Sequence, residues 1–486
     1  MNRTTIVSAP GKVLITGGYL VLDPDYSGLV LSTSSRFYTT IKDVKNVENT
    51  SCGGLVIDLH SPQFYLSGQY VYESSENGGE LKLVNMNKNP YIENAILYAL
   101  AISEYLNGSK IQNRKISITL QADNDFYSQR QNLIDLGKEV TLENLENLEK
   151  FYVHPDSNKP IQKTGLGSSA SMVTSLTSAI ILHFTGLDIN DENGREMIHR
   201  VAQFCHCLAQ GKIGSGFDVS AATYGSQRYK RFGTSILESI MKLVDPSDPK
   251  YSKQAITEII NVVDPKKEFV WDNENSTFEL PPNFHLFVAD VAQGSNTPSM
   301  VRCVLKWKEQ NPTESTELWN SIRDLNNTVE EQFKIISKQA KEFPSDYENT
   351  LQKLYQLPAS EWEEVESVSS KVKDAMLTIR NSFIEIRKKL KYMGEQAENV
   401  PIEPNQQTKL LDETMATNGC LIAGVPGAGG YDAVFSILFA PNEESIQTVK
   451  NQVETSWKNF KYETECFVTP LILNESKTKG LEVQRF

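Results

Sequence analysis

The stretch KTGLGSSASMVTSLTSAI, residues 163–180, places two glycines and three serines directly before and within the start of an apolar run. The apolar residues recur at helical spacing and predict a helix that ends near residue 184. Glycines let the backbone curl closely around a ligand, and the free amides of a helix N-terminus attract an anion. The stretch therefore predicts an anion site, formed by Gly165, Leu166, Gly167, Ser168, Ser169, Ala170 and Ser171.

Other interpretations of this stretch agree less well with the sequence. The glycine spacing matches the dinucleotide fingerprint G-x-G-x-x-A, but that fingerprint follows a buried strand, and HPDSNKPIQKT (residues 154–164) is too polar for one. The pattern G-x-x-x-x-G-K-[ST] occurs nowhere in the chain. A serine helix cap explains Ser168 or Ser169 alone, but not the whole segment. The stretch favours a nucleotide triphosphate as ligand, with Ser168 or Ser169 contacting its magnesium ion.

Two further stretches carry glycine turns at the mouths of strands. APGKVLITGGYLVLD (residues 9–23) places Lys12 after a Pro-Gly turn and ahead of a buried strand. GVPGAGGYDAVFSI (residues 424–437) concentrates four glycines before Asp432 and another apolar strand. A turn without function accounts for either stretch taken by itself, whereas the three together indicate a phosphate-handling site.

Composition and charge narrow the class of protein. A chain of 486 residues predicts two or three packed lobes. The net charge of -13 argues against a general nucleic-acid role. No apolar run reaches about 18 residues, and the N-terminus lacks a signal pattern, so no membrane association is expected. The six scattered cysteines predict reduced thiols and a cytoplasmic location.

The order of predicted elements favours an α+β fold over a strict alternation of strands and helices. Residues 73–80 are predicted as a polar loop, and residues 123–160 as a surface insertion with a short helix. The predicted strands cover residues 3–7, 12–15, 28–42, 55–60, 70–73, 116–122, 285–289, 419–425, 433–440 and 462–468. The predicted helices cover residues 89–107, 168–184, 192–212, 302–306, 316–343, 347–357, 361–394 and 443–459.

The three glycine stretches, in this order, resemble the three signature motifs of the GHMP kinase superfamily. Mevalonate kinases carry Gly-Glu-His after the first motif, whereas this chain has Gly17-Gly18-Tyr19-Leu20. Together with GKIGSGFDVSAATYGSQRYKRF (residues 211–232) and DVAQGSNTPSMV (residues 290–301), this pattern is similar to the phosphomevalonate kinases of the fungal type.

The resemblance implies a two-lobed GHMP kinase fold with the active site in the cleft between the lobes. We expect an N-terminal lobe over residues 1–235 and a C-terminal lobe over residues 236–486, with a helical insertion at about 300–400. It also implies transfer of the γ-phosphoryl group of ATP, with Mg²⁺, to 5-phosphomevalonate. The alternatives are another small-molecule kinase of the superfamily, such as a mevalonate kinase, or a regulatory binder without catalysis. A monomer or weak dimer is expected.

By the same resemblance, Asp218 is the carboxylate that pairs with Lys12 beside the acceptor oxygen. The acceptor phosphate calls for extra positive charge, for which Arg228 and Lys230 are the candidates, on one face of a predicted strand. Residues 85–91 are the candidate region for adenine. The remaining expected substrate-binding residues form two turns: Gly294, Ser295, Asn296 and Thr297 in one, and Gly427, Ala428 and Gly429 in the other.

Overall fold

The structure is a computed structural model that describes residues 3–44, 53–156, 161–291, 294–463, 466–475 and 480–485. The end of the predicted 123–160 insertion and Cys52 therefore lie outside the described residues. Within them, the cysteines are free thiols: Cys205, Cys207, Cys303, Cys420 and Cys466. None of the helices in this part of the chain combines the length and apolar character that a membrane crossing needs.

The strands of the described residues form two sheets. The larger has the order β14-β1-β2-β6-β3-β4-β5-β8, with β7 joined to β2 and β9, and the smaller has the order β11-β12-β10-β13. The strands are β1 (Thr4–Thr16), β2 (Ser27–Asp43), β3 (Leu55–Ser61), β4 (Leu66–Ser75), β5 (Gly78–Leu83), β6 (Arg114–Ala122), β7 (Gln227–Lys230), β8 (Lys250–Ser252), β9 (Glu274–Thr277), β10 (Phe284–Asp290), β11 (Cys420–Gly424), β12 (Ala433–Phe439), β13 (Thr469–Pro470) and β14 (Glu482–Arg485).

The helices lie on the sheets and in a long insertion between β10 and β11. They are α1 (Pro90–Asn107), α2 (Arg130–Asp135), α3 (Leu142–Glu146), α4 (Ser168–Phe184), α5 (Glu192–Gln210), α6 (Phe217–Tyr224), α7 (Ser235–Met241), α8 (Lys253–Val263), α9 (Thr297–Gln310), α10 (Pro312–Glu342), α11 (Pro344–Leu354), α12 (Ser370–Gln396), α13 (Asn405–Met415) and α14 (Glu443–Asn459).

The larger sheet is mostly antiparallel and covers a core made by α1, α4 and α5. Its one parallel pair among the described strands is β3 with β6. The apolar residues of α4 are buried on all sides, including Val173, Leu176 and Ile180, which explains why its sequence is apolar nearly throughout. Burial of α4 fixes its N-terminus, and with it residues 165–171, against β1.

The smaller sheet forms the core of the second lobe, with α13 and α14 packed against it. Phe287 of β10 stacks on Trp457 of α14 with ring centroids 4.7 Å apart. The insertion packs as an antiparallel bundle in which α10 and α12 are the long members, centred on buried side chains such as Trp319 and Met376. Its final helix, α12, leads the chain back to β11 beside the cleft.

Several sequence predictions need correction. Residues 78–83 form β5 and not a loop, because Gly78 and Gly79 pair with β4 as well as with β8. Residues 3–7 and 12–15 belong to one continuous strand, and Ala359–Glu364 is a 3-10 helix before α12. The strand predicted for residues 462–468 is wrong in its described part, which holds no strand, and the pairing with β10 begins only at Thr469–Pro470. A boundary at residue 235 does not separate the sheets, since β8, β9 and β14 join the larger one.

Candidate active site

Lys12 leaves the larger sheet at an irregularity in β1. Pro10 has no amide hydrogen, and the β1–β2 register shifts between Pro10 and Lys12. Gly11 has no room for a side chain, because a Cβ there would lie 2.8 Å from Thr33 Oγ1 and 3.2 Å from the Leu166 carbonyl oxygen. The kink brings the Lys12 amide to the phosphate loop, residues 165–171, where it donates to Leu166 O at 2.9 Å.

The phosphate loop turns sharply before α4. Gly165 and Gly167 have φ angles of 78° and 81°, which favour glycine because a side chain is strained there. Gly167 is the N-cap of α4 and supplies no side-chain cap, so the first-turn amides stay available to a ligand. The Ser171 hydroxyl instead donates to Pro10 O at 2.7 Å and ties α4 to β1.

Asp218 lies in the first turn of α6, which a glycine turn sets against the phosphate loop. Gly216, the N-cap, has φ 83°, and a Cβ there would meet Tyr229 Oη at 2.8 Å. Val219 of α6 packs with Ala170 of α4 in one small apolar cluster. The glycine and the apolar contact together bring the start of α6 to the start of α4.

The predicted catalytic pair and the phosphate loop converge at one point. A Cβ added to Gly167 would lie 3.1 Å from Lys12 Cε and 3.8 Å from Asp218 Cβ. The Lys12 ammonium donates to Gly165 O at 2.8 Å and lies 5.3 Å from the centre of the Phe217 ring. Residues from three separate stretches of the chain therefore surround the place where a terminal phosphate would lie against α4.

The charges at this point come from both lobes. Burial lowers the pKa of Lys12, and the negative charges of Asp218 and Asp432 raise it in part. Burial raises the pKa of Asp432, while hydrogen bonds from Ser295 and the charge of Lys12 lower it in part. Asp432, which follows the third motif, thus helps to keep Lys12 cationic.

The two candidate serines for magnesium have different partners. Ser168 is buried and forms a side-chain hydrogen bond with Tyr127, whose pKa burial raises to about 12. Ser169 is half-buried, and its Oγ lies 3.2 Å from His206 Nε2. Burial lowers the pKa of His206 and so favours the neutral ring. The unprotonated nitrogen of that ring can accept a hydrogen bond from the Ser169 hydroxyl.

The predicted turn at Gly294, Ser295, Asn296 and Thr297 lies against the third motif. Tyr431 N donates to Ser295 Oγ at 2.7 Å, and a Cβ at Gly430 would lie 2.2 Å from that oxygen. Asn296 is the N-cap of α9, and its side chain accepts from Ser299 N at 3.1 Å. Helix α9 begins at Thr297, five residues before the start of the helix predicted over residues 302–306.

The first and third motifs also touch across the cleft. Tyr19 Oη donates to Ala428 O at 2.9 Å. Gly18 has no room for a side chain, because a Cβ there would lie 2.6 Å from Gly427 O. Gly17-Gly18-Tyr19, which distinguishes this chain from mevalonate kinases, therefore supports the turn predicted to bind substrate.

The two predicted cations of β7 are paired with carboxylates of other segments. Arg228 Nε is 3.2 Å from Glu330 Oε2, and Lys230 Nζ is 3.0 Å from Glu274 Oε1. Along β7 they alternate with Tyr229, so their side chains lie on the opposite face of the strand. The Tyr229 hydroxyl donates to Ser215 O, in the turn before Asp218, at 2.8 Å. Their role in binding the acceptor stays a prediction.

Comparison with known proteins tests the family that the motifs resemble. Residues 132–226 match the family described as GHMP kinases N terminal domain. The protein named "Phosphomevalonate kinase, peroxisomal" from Arabidopsis thaliana is 39% identical over 464 residues, covering 89% of each chain. A phosphomevalonate kinase from Aspergillus fumigatus is 33% identical over 485 residues, covering 94% of this chain and 91% of its own.

The chain belongs to the phosphomevalonate kinase family of GHMP kinases. Among solved structures, the Streptococcus pneumoniae phosphomevalonate kinase in complex with phosphomevalonate and AMPPNP shares the fold, with a TM-score of 0.55 at 14% identity over 99% of both chains. The Lin0012 protein of Listeria innocua has a TM-score of 0.62 at 16% identity. The predicted family and the predicted α+β fold are confirmed.

Three residues of this kinase's site escaped the sequence analysis. The sequence assigns no role to Asp432 or His206, and only the fold places them near Lys12 and Ser169. Lys163 lies two residues before the phosphate loop and pairs with Tyr127 in an isolated bridge. The positive charge of Lys163 lowers the pKa of His206 in part, which places Lys163 near the partner of Ser169.

Alanine at Gly167 should be far more harmful to catalysis than alanine at Gly165. Both glycines have similar positive φ angles, so both changes carry comparable backbone strain of about 1 kcal/mol. Only the new Cβ at Gly167 would press on Lys12, since nothing lies within 4 Å of the corresponding position at Gly165. We expect Gly167→Ala to lower kcat by at least about tenfold more than Gly165→Ala, measured by ADP release.

Thermal unfolding of both variants provides the control, because it reports the shared strain. Equal losses of kcat in the two variants would contradict the contact between Gly167 and Lys12 as the cause.

Proposed function

We propose that this chain transfers the γ-phosphoryl group of ATP to 5-phosphomevalonate, giving 5-diphosphomevalonate and ADP. Membership of the phosphomevalonate kinase family supports the substrate. The observation that carries the residue assignment is the convergence of Lys12, Gly167 and Asp218 at the N-terminus of α4. Phosphoryl transfer depends on positioning and on neutralising charge, and this arrangement provides both.

The ATP phosphates lie against the phosphate loop in this proposal. Amides at the start of α4, with roughly half a positive charge from the helix dipole, bind phosphate oxygens. An oxygen of the acceptor phosphate attacks the γ-phosphorus, the bond from that phosphorus to the bridging oxygen breaks, and the electron pair leaves with ADP. Lys12 stabilises the charge that develops on the transferring group.

Asp218 acts as an orienting group more than as a base. The second ionisation of a phosphate monoester has a pKa of about 6, so the acceptor oxygen is already negative at neutral pH. The negative charge of Asp218 raises the pKa of Lys12 against the cost of burial and so helps to keep the ammonium charged. Proton abstraction from the acceptor is unnecessary.

Magnesium fits the donors at the phosphate loop as an ion carried by ATP. Within the described residues no group of three or more His, Cys, Asp or Glu side chains could hold a metal by itself. Mg²⁺ keeps several waters and binds through substrate phosphates plus one or two protein oxygens, which Ser169 and Ser168 can supply. When bound, the ion neutralises phosphate charge. Ser169 is the better candidate, because it is half-buried whereas Ser168 is buried against Tyr127.

The acceptor is proposed to bind between the turn at Gly294–Thr297 and the third motif. These two turns touch through Ser295 and lie on the Asp432 side of Lys12. Arg228 and Lys230 could bind the acceptor only if their ion pairs with Glu330 and Glu274 break. The direct check is to replace each by alanine and to measure the KM for phosphomevalonate. The cytoplasmic location stays a prediction, and the Arabidopsis relative is named as peroxisomal.

Unmodified protein should release ADP with phosphomevalonate, and not with mevalonate, galactose or homoserine, in one coupled assay. Lys12→Ala and Asp218→Asn should each lower kcat by at least about a hundredfold, since lost electrostatic stabilisation of this kind costs about 3 kcal/mol. Binding of ATP, measured by calorimetry, should largely persist in both variants.

Release of ADP with mevalonate as the preferred acceptor would overturn the proposed function. Turnover close to that of the unmodified protein in either variant would remove that residue from the catalytic set.

Alanine at Ser169 should raise the KM for Mg-ATP and lower kcat, whereas alanine at Ser168 should chiefly lower thermal stability. The reason is that Ser168 is buried and bonds to Tyr127, whereas Ser169 is half-buried beside His206. Titration of Mg²⁺ at fixed ATP measures the difference. Equal, slight effects of both changes, worth about 1 kcal/mol of stability, would assign both serines to capping.

A further inference from the structure

The turn of the third motif, residues 427–430, is held from outside by a short segment that we call the brace, residues 400–407. Gly430 N donates to Ile402 O at 2.9 Å. Gln407 Nε2 donates to Gly430 O at 3.2 Å. At Gly429, with φ 74°, a Cβ would lie 2.1 Å from Ile402 O, so the brace and the turn meet backbone to backbone.

The brace is fixed to α12 by a buried ion pair. Arg387 donates to both carboxylate oxygens of Glu403, with Nε–Oε2 at 3.0 Å and a second guanidinium nitrogen 2.7 Å from Oε1. The side chains are 7% and 3% exposed. The same guanidinium lies 2.9 Å from Asp412 Oδ1 and 3.3 Å from Thr408 O. Arg387 therefore ties the brace and the start of α13 to the bundle.

Stability alone gives little reason for such a pair. Removing two charges from water is costly, and apolar replacements of buried ion pairs are often at least as stable. The guanidinium fork, however, fixes the direction of the carboxylate that it binds. The pair therefore fixes the position of Glu403. Glu403 directly follows Ile402, whose carbonyl accepts the hydrogen bond from Gly430 N.

The pair also lies next to the first motif. Arg387 and Glu403 line a small cavity of about 10 Å³ together with Gly17, Gly18 and Gly427. A cavity of that size has room for about one water molecule and none for a substrate. The ion pair is therefore packed directly behind the two motifs that meet across the cleft.

The other sides of the turn are held by residues of the site itself. Tyr19 donates to Ala428 O, and Ser295 accepts from Tyr431 N and bonds to Asp432. Asp432 in turn supports the charge of Lys12. A shift of the turn on its brace side would therefore change both the proposed acceptor site and the charge balance at Lys12.

We propose that Arg387 and Glu403 are positioning residues for phosphoryl transfer, which act by holding the third-motif turn through the brace. This assignment rests on the proposed function, because it takes the turn as part of the acceptor site. It gives the buried ion pair of the helical insertion a role in catalysis although neither side chain reaches the reacting atoms.

Glu403→Gln tests the assignment, with Asp58→Asn, at a half-buried ion pair, as a control for the loss of a carboxylate elsewhere. Asp58 pairs with Lys115 at 2.7 Å on the larger sheet, so its loss removes an ion pair remote from the turn. Hydrogen exchange of the free protein should become about tenfold faster at the amides of residues 424–432 in Glu403→Gln alone. The KM for phosphomevalonate should rise about fivefold or more, with a smaller change for ATP.

A second pair of variants separates positioning from stability. Arg387→Met combined with Glu403→Leu should recover thermal stability without recovering the KM, because an apolar pair packs but does not orient the brace. Gln407→Leu, which leaves the ion pair intact, should speed exchange at the same amides. Unchanged exchange at residues 424–432 in Glu403→Gln, or faster exchange with an unchanged KM, would overturn the proposal. Absence of kinase activity in the unmodified protein would instead overturn the proposed function.

Discussion

The site depends on keeping a lysine charged at a partly buried position where three stretches of the chain meet. Burial lowers the pKa of Lys12, and the carboxylates of Asp218 and Asp432 offset part of that effect. One carboxylate starts α6 in the first lobe, and the other follows the third motif in the second lobe. The charge of Lys12 is therefore a property of the assembled cleft, which links the electrostatics of the reaction to the packing of both lobes.

Glycines are the means by which the chain brings these groups together. Each of the three motifs has a glycine at which an added Cβ would crowd a neighbouring segment of the site: Gly11 against Leu166, Gly167 against Lys12, and Gly430 against Ser295 of the turn at residues 294–297. The motifs contain many glycines because their backbones approach one another closely, and less because they need to be flexible. Phosphate ligands need the same close approach, since backbone amides reach an anion only where side chains are absent.

Much of this arrangement was predictable from the sequence, because the decisive features are local. A glycine-serine turn before an apolar run predicted the start of α4. The long-range contacts were not predictable from spacing: Asp432 beside Lys12, His206 beside Ser169, and the brace against Gly430. Arg228 and Lys230 looked available for an acceptor, but the fold supplies Glu330 and Glu274 from distant segments. Strand β5 was missed because consecutive glycines are typical of a loop. Only the pairing of Gly78 and Gly79 with the distant strand β8 makes them part of a sheet.

The most direct test of this account is the pKa of the Lys12 amine in the free protein, measured by competitive labelling with an amine-reactive reagent across a range of pH and quantified by mass spectrometry. Removing a neighbouring negative charge favours the neutral amine. The account predicts a pKa for Lys12 below the ordinary lysine value in the unmodified protein, and lower still in both Asp218→Asn and Asp432→Asn. A pKa equal to that of exposed lysines and unchanged in both variants would contradict it.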